Sequence, residues 1–289
     1  MPCDAWLPIG ELAKRTGVNP ITLRAWERRY GLLVPERTPK GHRLYNESHV
    51  TRVEDILHWL ERGASVGQVR ELLERQADSP PVLQGDWHDR CQRLEDAVAN
   101  LAQRSLDQQL NQAMALYPAM TLCEQLLIPL LERLEQRWRI HVDPRLEQSL
   151  FQTWLRSKLG ARVYHDNQSL EGPPVLLTSD NEQPFDEHLW LCAWLLSSSG
   201  LAVEVLERPV SGKQLQQAVA RLQPRALVLY LGPRLEAEKL AALQDLGIPQ
   251  LLGGTTASIH EARLSAQPIA HRHLFDTPTG VLRLLQQSR

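Results

Sequence analysis

The spacing of hydrophobic residues changes twice along the chain. Residues 1–76 read as short helices around tight turns, residues 87–164 place apolar side chains three or four positions apart, and residues 174–289 alternate apolar runs with amphipathic stretches. The segments 77–86 and 165–173 lack periodicity and read as linkers. The pattern therefore predicts a multidomain α and α/β protein in which three domains are joined by two linkers.

The middle segment predicts an antiparallel bundle of about four helices. Its apolar positions follow helical spacing, and interruptions near Pro118 and at residues 141–144 separate one helix from the next. The residues that form the predicted apolar face are Leu94, Val98, Leu101, Leu126, Leu127, Leu130, Leu131, Leu134, Leu150, Leu155 and Leu159.

The last segment predicts a Rossmann-like domain built on a parallel sheet. Its apolar runs are separated each time by a helix-length amphipathic stretch, and parallel strands need crossover helices that cover both faces of the sheet. The predicted strands are 175–178, 202–206, 226–231 and 249–252, and the predicted helices are 185–198, 211–222, 234–246 and 278–287.

Charge is distributed unevenly over the chain. The 289 residues carry a formal net charge of −2, yet from Lys14 to Arg52 nine lysines and arginines stand against only three acids, Glu27, Glu36 and Glu47. The rest of the chain must therefore be acidic. A basic segment on an acidic body is typical of a regulator with a separate DNA-binding end.

Composition predicts a soluble protein of a reducing compartment. Hydrophobic residues make up 43% and charged residues 23% of the chain. The four cysteines form no CxxC pair, so the sequence predicts neither a disulfide framework nor a metal site. Since the sequence shows no signal peptide and no run of the ~18 apolar residues that a membrane span needs, we expect a cytoplasmic protein without membrane contact.

Residues 7–30 predict a helix-turn-helix. Gly17 supplies the positive-φ turn after the first helix, Asn19 is a favourable N-cap, and Pro20 suits the first helical position because an N–H there would be unpaired. The second helix is expected to read DNA. Its residues expected to pack inward are Ile21, Leu23 and Trp26, and those expected to be exposed are Thr22, Arg24, Arg28 and Arg29.

Residues 33–46 predict a two-stranded wing around a turn at 39–41, and helices at 47–62 and 65–75 complete the module. A guanidinium group can bond guanine bidentately or clamp a phosphate, so arginine is expected at both kinds of contact. The basic side chains of the predicted wing are Arg37, Lys40, His42 and Arg43.

Three stretches within residues 7–75 resemble the MerR family of transcription regulators: IGELAKRTGV, TLRAWERRYGL and the wing pattern R-x-x-x-G-x-R-x-Y. The resemblance implies a homodimer on an inverted repeat, which distorts double-stranded promoter DNA between over-spaced promoter elements and acts on RNA polymerase indirectly, as an activator more often than a repressor. The candidate DNA contacts are Asn19, Thr22, Arg24, Arg28, Arg29, Tyr30, Arg37, Lys40, His42, Arg43 and Tyr45. The alternative is that Arg28 and Arg29 are solvated helix charges and that both tyrosines belong to the core.

The rest of the chain resembles the MlrA-like, CarH-like and LitR-like branch of this family, in which a helical bundle and a Rossmann-like domain form a cobalamin-binding type of effector half. LERLEQRWRIH resembles the bundle segment with a cobalamin-facing tryptophan, here Trp138, which also fits the core. QLLGG resembles the strand that ends beside the nucleotide tail, here at Gly253 and Gly254.

The residues that the resemblance requires for cobalamin are replaced in this sequence. The cobalt-ligating histidine falls at Phe185, and a second register offers His188 but puts a leucine where the motif has glycine. The Glu-His pair of the bundle reads Gln148-Ser149. We therefore expect that cobalamin does not bind. The remaining candidates for a cofactor contact are Trp138, His188, Gly253 and Gly254.

Two other functions stay open at this point. One is a sensor regulator that responds to cobalamin or to a cyclic dinucleotide, and a more distant one is a corrinoid-dependent enzyme. The sequence has no P-loop, no HExxH motif and no nucleophile elbow, so we predict a regulator rather than an enzyme. Its effector would be a small molecule or a protein. Because Pro80 and Pro81 follow the last helix of the DNA-binding module, we expect the dimer contact in the effector half or only on DNA.

Overall fold

The structure of the chain is a computed structural model with two compact units, Met1–Leu150 and Phe151–Arg289. No helix among the described residues is long and apolar enough to cross a membrane. The residues that the structure describes are 6–61, 64–75, 84–141, 143–180, 185–244, 246–254, 259–260, 264 and 271–287. Most of the first predicted linker, 76–83, lies outside them.

The first unit begins with the predicted winged helix-turn-helix. Gly17 has φ +70° and ends the first helix, and the side chain of Asn19 accepts a hydrogen bond from the backbone N–H of Ile21 at 2.8 Å. These are the turn and the cap that the sequence predicts. The elements are α1 (Ile9–Thr16), α2 (Pro20–Ala25), a π-helical turn (Trp26–Tyr30), β1 (Glu36–Arg37), β2 (Arg43–Leu44), α3 (Glu47–Glu61) and α4 (Val66–Arg75).

The bundle helices of the first unit form where helical spacing predicts them. Their leucine faces are buried, whereas Leu101 lies at a turn with φ +52° and is 37% exposed, so its predicted place on the apolar face is wrong. The helix that starts at Gln84 begins inside the first predicted linker. The elements are α5 (Gln84–Ala99), α6 (Gln103–Met114), α7 (Ala119–Leu122), a π-helical turn (Cys123–Leu127), α8 (Ile128–Ile140) and the start of α9 (Arg145–Asn167).

Helix α9 was expected to be the fourth helix of the bundle, but from Phe151 onward it belongs to the second unit. Its polar side chains explain this assignment. The Asn167 side chain bonds both the N–H and the C=O of Val203 at the start of a strand, and Arg156 pairs with Glu207 at 2.7 Å. Apolar periodicity predicts a helix with a buried face but does not say which domain that face is buried against.

The second unit contains the predicted parallel sheet, with strand order β4-β3-β5-β6-β7. Helix α10 packs with α13 and α11 packs with α12, as expected when helices cover a parallel sheet. The strands are β3 (Val175–Ser179), β4 (Val203–Leu206), β5 (Ala226–Tyr230), β6 (Gln250–Gly253) and β7 (Arg272–Phe275), and the helices are α10 (Glu187–Ser198), α11 (Gly212–Leu222), α12 (Ala237–Gln244) and α13 (Pro278–Gln287).

The predicted fold class is therefore confirmed, and the strand that sequence reasoning missed is β7. Within the described part of the chain this edge strand pairs only with β6, and His273 and Leu274 at its centre are exposed. Its RHLF sequence has neither the continuous apolar run of a buried strand nor the alternation of a half-buried one, so periodicity could not reveal it.

Candidate nucleic-acid interface

Helix α2 and the π-helical turn that follows it form one continuous recognition segment, residues 20–30. Leu23 and Trp26 are fully buried, and Arg24, Arg28 and Arg29 are exposed, as the sequence predicts. Two neighbours differ from the prediction. The side chain of Ile21 is 59% exposed and Thr22 is only 2% exposed, so Ile21 lies on the outer face and Thr22 packs inside the domain rather than facing DNA.

The π-helical turn ends at Gly31, whose φ is +62° and whose N–H donates to the carbonyl of Glu27 at 3.2 Å. A π turn holds more residues than an α-helical turn, so it changes the direction in which the following side chains point. Arg28 and Arg29 lie within it and both point to solvent. Short π turns often lie at functional sites, but no residue type marks them in a sequence, so the sequence analysis missed this one.

The carboxylate of Glu27 joins the recognition segment to the wing. It accepts hydrogen bonds from Nη2 of Arg37 at 3.1 Å and from Nε of Arg43 at 2.5 Å, and its side chain is only 12% exposed. The hydrogen bond that Arg43 donates to Glu27 raises the pKa of Arg43 above its usual value. Both wing arginines predicted to contact DNA therefore also hold the wing in place, with Arg37 remaining the more exposed of the two.

The tip of the wing is a tight turn that carries two exposed basic side chains, Lys40 and His42. The N–H of Thr38 donates to the carbonyl of His42 at 2.9 Å, and the N–H of His42 donates to the Thr38 hydroxyl at 3.0 Å. Gly41 adopts φ +82°, a conformation that favours glycine. The turn thus presents Lys40 and His42 outward, as predicted.

Tyr45 does not lie on the surface, which contradicts its assignment as a DNA contact. It is fully buried, and its ring meets the His49 ring edge to face at 5.5 Å between centroids. Its backbone N–H and C=O pair with those of Leu7 at 2.9 and 2.7 Å. Burial also raises the pKa of its hydroxyl. Tyr45 is therefore a core residue, the alternative left open by the sequence, whereas Tyr30 is partly exposed.

The outer face of the recognition segment borders an open groove of about 360 Å³. Among the residues that the structure describes, all charged residues that line it are arginines, and none is a carboxylate. Guanidinium groups on the exposed face of a recognition helix suit both phosphate oxygens and the guanine edge in the major groove. The lining residues are Ile21, Arg24, Ala25, Arg28, Arg29 and Ala115.

Trp138, the candidate cofactor contact of the bundle, forms a hydrogen bond within the bundle. It is 7% exposed, and its indole N–H donates to Oε2 of Glu147 at 3.1 Å. Arg137 donates to the same carboxylate through Nε and Nη2 at 3.0 and 3.1 Å, and these bonds lower the pKa of Glu147. Glu147 was not among the predicted site residues, because the acid of the family's Glu-His pair falls one residue later, at Gln148.

The space around the candidate glycines at the carboxyl edge of the sheet is occupied by other residues of the second unit. A Cβ on Gly253 would lie 1.9 Å from the carbonyl oxygen of Phe275, and one on Gly254 would lie 2.9 Å from the ring of Tyr230. Phe185 is buried, and His188 is partly buried in the first turn of α10. Within the described ranges, no group of three or more His, Cys, Asp or Glu side chains could hold a metal ion.

Beside these glycines, two acids at the same edge are also engaged. Asp186 caps α10 and accepts a hydrogen bond from the hydroxyl of Ser179 at 2.7 Å. Asp180, directly after β3, forms a largely buried ion pair with Lys239 of α12. Sequence reasoning missed Lys239, because a lysine in a short amphipathic helix is normally exposed.

A helix-turn-helix with an exposed arginine face, next to a basic wing held by a carboxylate, defines the first unit as the DNA-binding part of a transcription regulator. Residues 7–76 match the family model of the MerR HTH family regulatory protein. The HTH-type transcriptional regulator MlrA of Escherichia coli (strain K12) is 30% identical over 248 residues, which cover 83% of this chain and 95% of that protein. The chain belongs to the MerR family, which confirms the resemblance seen in the sequence.

A second family model matches part of the chain after the DNA-binding module. Residues 90–141 match a model described as a B12 binding domain. The HTH-type transcriptional repressor CarH of Myxococcus xanthus is 25% identical over 267 residues, covering 86% of this chain and 89% of that one. The solved methanol:cobalamin methyltransferase complex MtaBC of Methanosarcina barkeri aligns with 76% of this chain and 88% of its own chain at 16% identity and a TM-score of 0.35.

Two arginine substitutions should have different effects on DNA binding. Arg24→Ala should cost about 1–3 kcal/mol of operator affinity and relax the preference at one base pair, because an exposed guanidinium at the centre of the recognition face is suited to a base edge. Arg43→Ala should weaken binding to all sequences about equally and reduce the salt slope by about one. Titrations of each variant against an operator and its single-base variants at several salt concentrations measure both effects.

The control for these titrations is Arg139→Ala. Arg139 is 78% exposed on α8, so this substitution removes one positive charge from the bundle instead of from the DNA-binding module. If Arg24→Ala and Arg43→Ala both bind the operator like the unmodified protein at moderate salt, the assignment of the recognition segment and wing is wrong.

Proposed function

We propose that this protein is a homodimeric regulator that binds a promoter spacer through Arg24, Arg28 and Arg29 of the recognition segment and through the wing. The observation that carries this proposal is the arginine face bordering the groove, which exposes three guanidinium groups and has no carboxylate among its described lining residues. Lys40 and His42 at the wing tip extend the positive surface, and Arg37 and Tyr30 lie partly open beside it. Asn19 contributes by capping the recognition helix.

Dimer formation follows from the size of the reading surface. One helix-turn-helix with one wing buries too little surface for operator-level affinity, and two copies on half-sites one helical turn apart supply the rest. Activation then comes from distorting the spacer, so that RNA polymerase meets promoter elements in a changed relative orientation. The relatives are named as transcription regulators, which favours a regulator over a corrinoid-dependent enzyme.

Genomic occupancy of the intact protein, followed by a footprint across an occupied promoter, tests this function. We expect a symmetric protected region with two half-sites, lying between the two polymerase-binding elements. A single unsymmetrical half-site would contradict the dimer. Occupancy that shows no preference for promoters would contradict the regulatory function itself.

The effector half, we propose further, does not bind cobalamin, although part of it matches a B12 binding domain. Phe185 has no atom that can ligate cobalt and is 5% exposed. The space next to Gly253 and Gly254 is taken by Phe275 and Tyr230 of the same unit. The indole of Trp138 is bonded to Glu147 rather than open to a ligand. The regulator would then respond to another small molecule or to a protein.

A visible spectrum decides this question. After incubation with adenosylcobalamin or hydroxocobalamin in the dark and desalting, we expect a colourless protein, because Phe185 and Gln148-Ser149 occupy the positions of the family's cobalamin-binding histidines. A retained corrinoid band that disappears in the His188→Ala variant would contradict the proposal and favour a cobalamin-responsive sensor. The His165→Ala variant, which removes an exposed histidine of α9, serves as the control for a general loss of binding.

A further inference from the structure

The recognition segment has a partner in the bundle as well as in the wing. Trp26, the first residue of the π-helical turn, is fully buried, and its indole N–H donates to the carbonyl of Leu116 at 2.7 Å. The two residues are 90 positions apart in the chain. Leu116 lies between α6 and α7 in the turn formed by residues 115–117, which we call the α6–α7 turn.

The α6–α7 turn is itself anchored on both sides. The hydroxyl of Tyr117 accepts a hydrogen bond from the N–H of Val66, the first residue of α4, at 3.4 Å. The Tyr117 ring packs against Trp87 of α5 at 4.5 Å between centroids, and the guanidinium of Arg90 lies 5.5 Å from its centre. Tyr117 is 2% exposed, so its contact with Trp87 belongs to a packed core and not to the surface.

The wing and the α6–α7 turn hold two different flanks of the recognition segment. Consecutive residues of a helix point about 100° apart around its axis, so Trp26 and Glu27 leave the segment in different directions. Glu27 binds the wing arginines, and Trp26 binds the bundle. Arg24 and Arg28 lie between these two flanks on the outer face, and Ala115 of the turn lines the groove next to them.

We propose that the α6–α7 turn is a positioning element for DNA reading: the hydrogen bond from Trp26 to Leu116 fixes the start of the π-helical turn and thereby the direction of Arg28 and Arg29. This inference rests on the proposed DNA-binding function. It makes the bundle part of the DNA-reading surface. A ligand or partner that moves the α6–α7 turn changes operator affinity, and DNA binding changes the affinity of the bundle for that ligand by the same factor.

The hydrogen bond from Trp26 to Leu116 is suited to a positioning role, because breaking it costs free energy. Separating the bundle from the recognition segment would strip a buried indole N–H and a buried carbonyl of their partners, and it would expose the Tyr117 and Trp87 rings. A bundle that changes conformation must therefore either carry the recognition segment with it or break this hydrogen bond.

The test is Trp26→Phe in the full chain. Phenylalanine keeps an aromatic ring in the core but lacks the N–H donor. We expect operator affinity to fall by about three- to tenfold, the usual range for one lost buried hydrogen bond. We also expect discrimination between the operator and its single-base variants to fall, because Arg28 and Arg29 are no longer held in direction. A role in folding alone would not change that discrimination.

The matched control is Trp138→Phe, which removes an indole hydrogen bond of similar length, to Glu147, elsewhere in the same unit. It should leave operator affinity and discrimination unchanged. Tyr117→Phe is the second variant and removes only the hydroxyl that accepts from Val66, so it carries the test if Trp26→Phe fails to fold. It should reduce affinity and discrimination in the same sense, by a smaller factor.

Unchanged or tighter operator binding by both Trp26→Phe and Tyr117→Phe would overturn the proposal, since tighter binding would make the α6–α7 turn an inhibitory contact instead. Failure of the unmodified protein to select any DNA sequence would be a different result. It would contradict the proposed function on which this positioning role rests, whereas selection by the unmodified protein together with unchanged variants would contradict the positioning role alone.

Discussion

Burial of Trp26 is the constraint on which the rest of the DNA-reading unit depends. With this ring in the core, the helical repeat directs Glu27 toward the wing and leaves Arg24 and Arg28 on the outer face. The carboxylate of Glu27 then sets the position of two wing arginines. One buried aromatic residue and one nearly buried acid thus determine where the arginines of the recognition segment and the wing are presented.

In the effector half, glycines and acids at the edge of the sheet contact other residues of the same unit. Gly253 and Gly254 are suited to a close approach of backbone and ligand, yet the groups that approach them are Phe275 and Tyr230. Asp180 and Asp186 at the same edge of the sheet are engaged by Lys239 and by Ser179. The side chains of the second unit thus contact these glycines and acids themselves.

Sequence reasoning reached those features that depend on local chemistry. Gly17 and Asn19 define the turn and the cap, and continuous apolar runs located four of the five strands. It was least accurate where neighbouring residues compete for one buried position. Thr22 rather than Ile21 packs inward, because Thr22 precedes the buried Trp26 by four residues and shares its face of the helix, whereas the prediction followed the apolar character of isoleucine.

Features set by distant contacts could not be predicted. Tyr45 is buried because it pairs with Leu7 across the domain, and α9 joins the second unit through side chains such as Asn167. Trp26 has its hydrogen-bond partner 90 residues away, at a backbone carbonyl that no sequence pattern marks. In each case the deciding partner lies far along the chain, where only the folded structure brings the groups together.

The central claim is that the arginine face between the wing and the α6–α7 turn reads a DNA sequence. Selection of bound duplexes from a random pool by the intact protein, at one fixed salt concentration, tests it most directly. The account predicts enrichment of an inverted repeat whose half-site centres lie about one helical turn apart. A pool that stays random after repeated rounds, while the folded protein still retains DNA through charge alone, would contradict it.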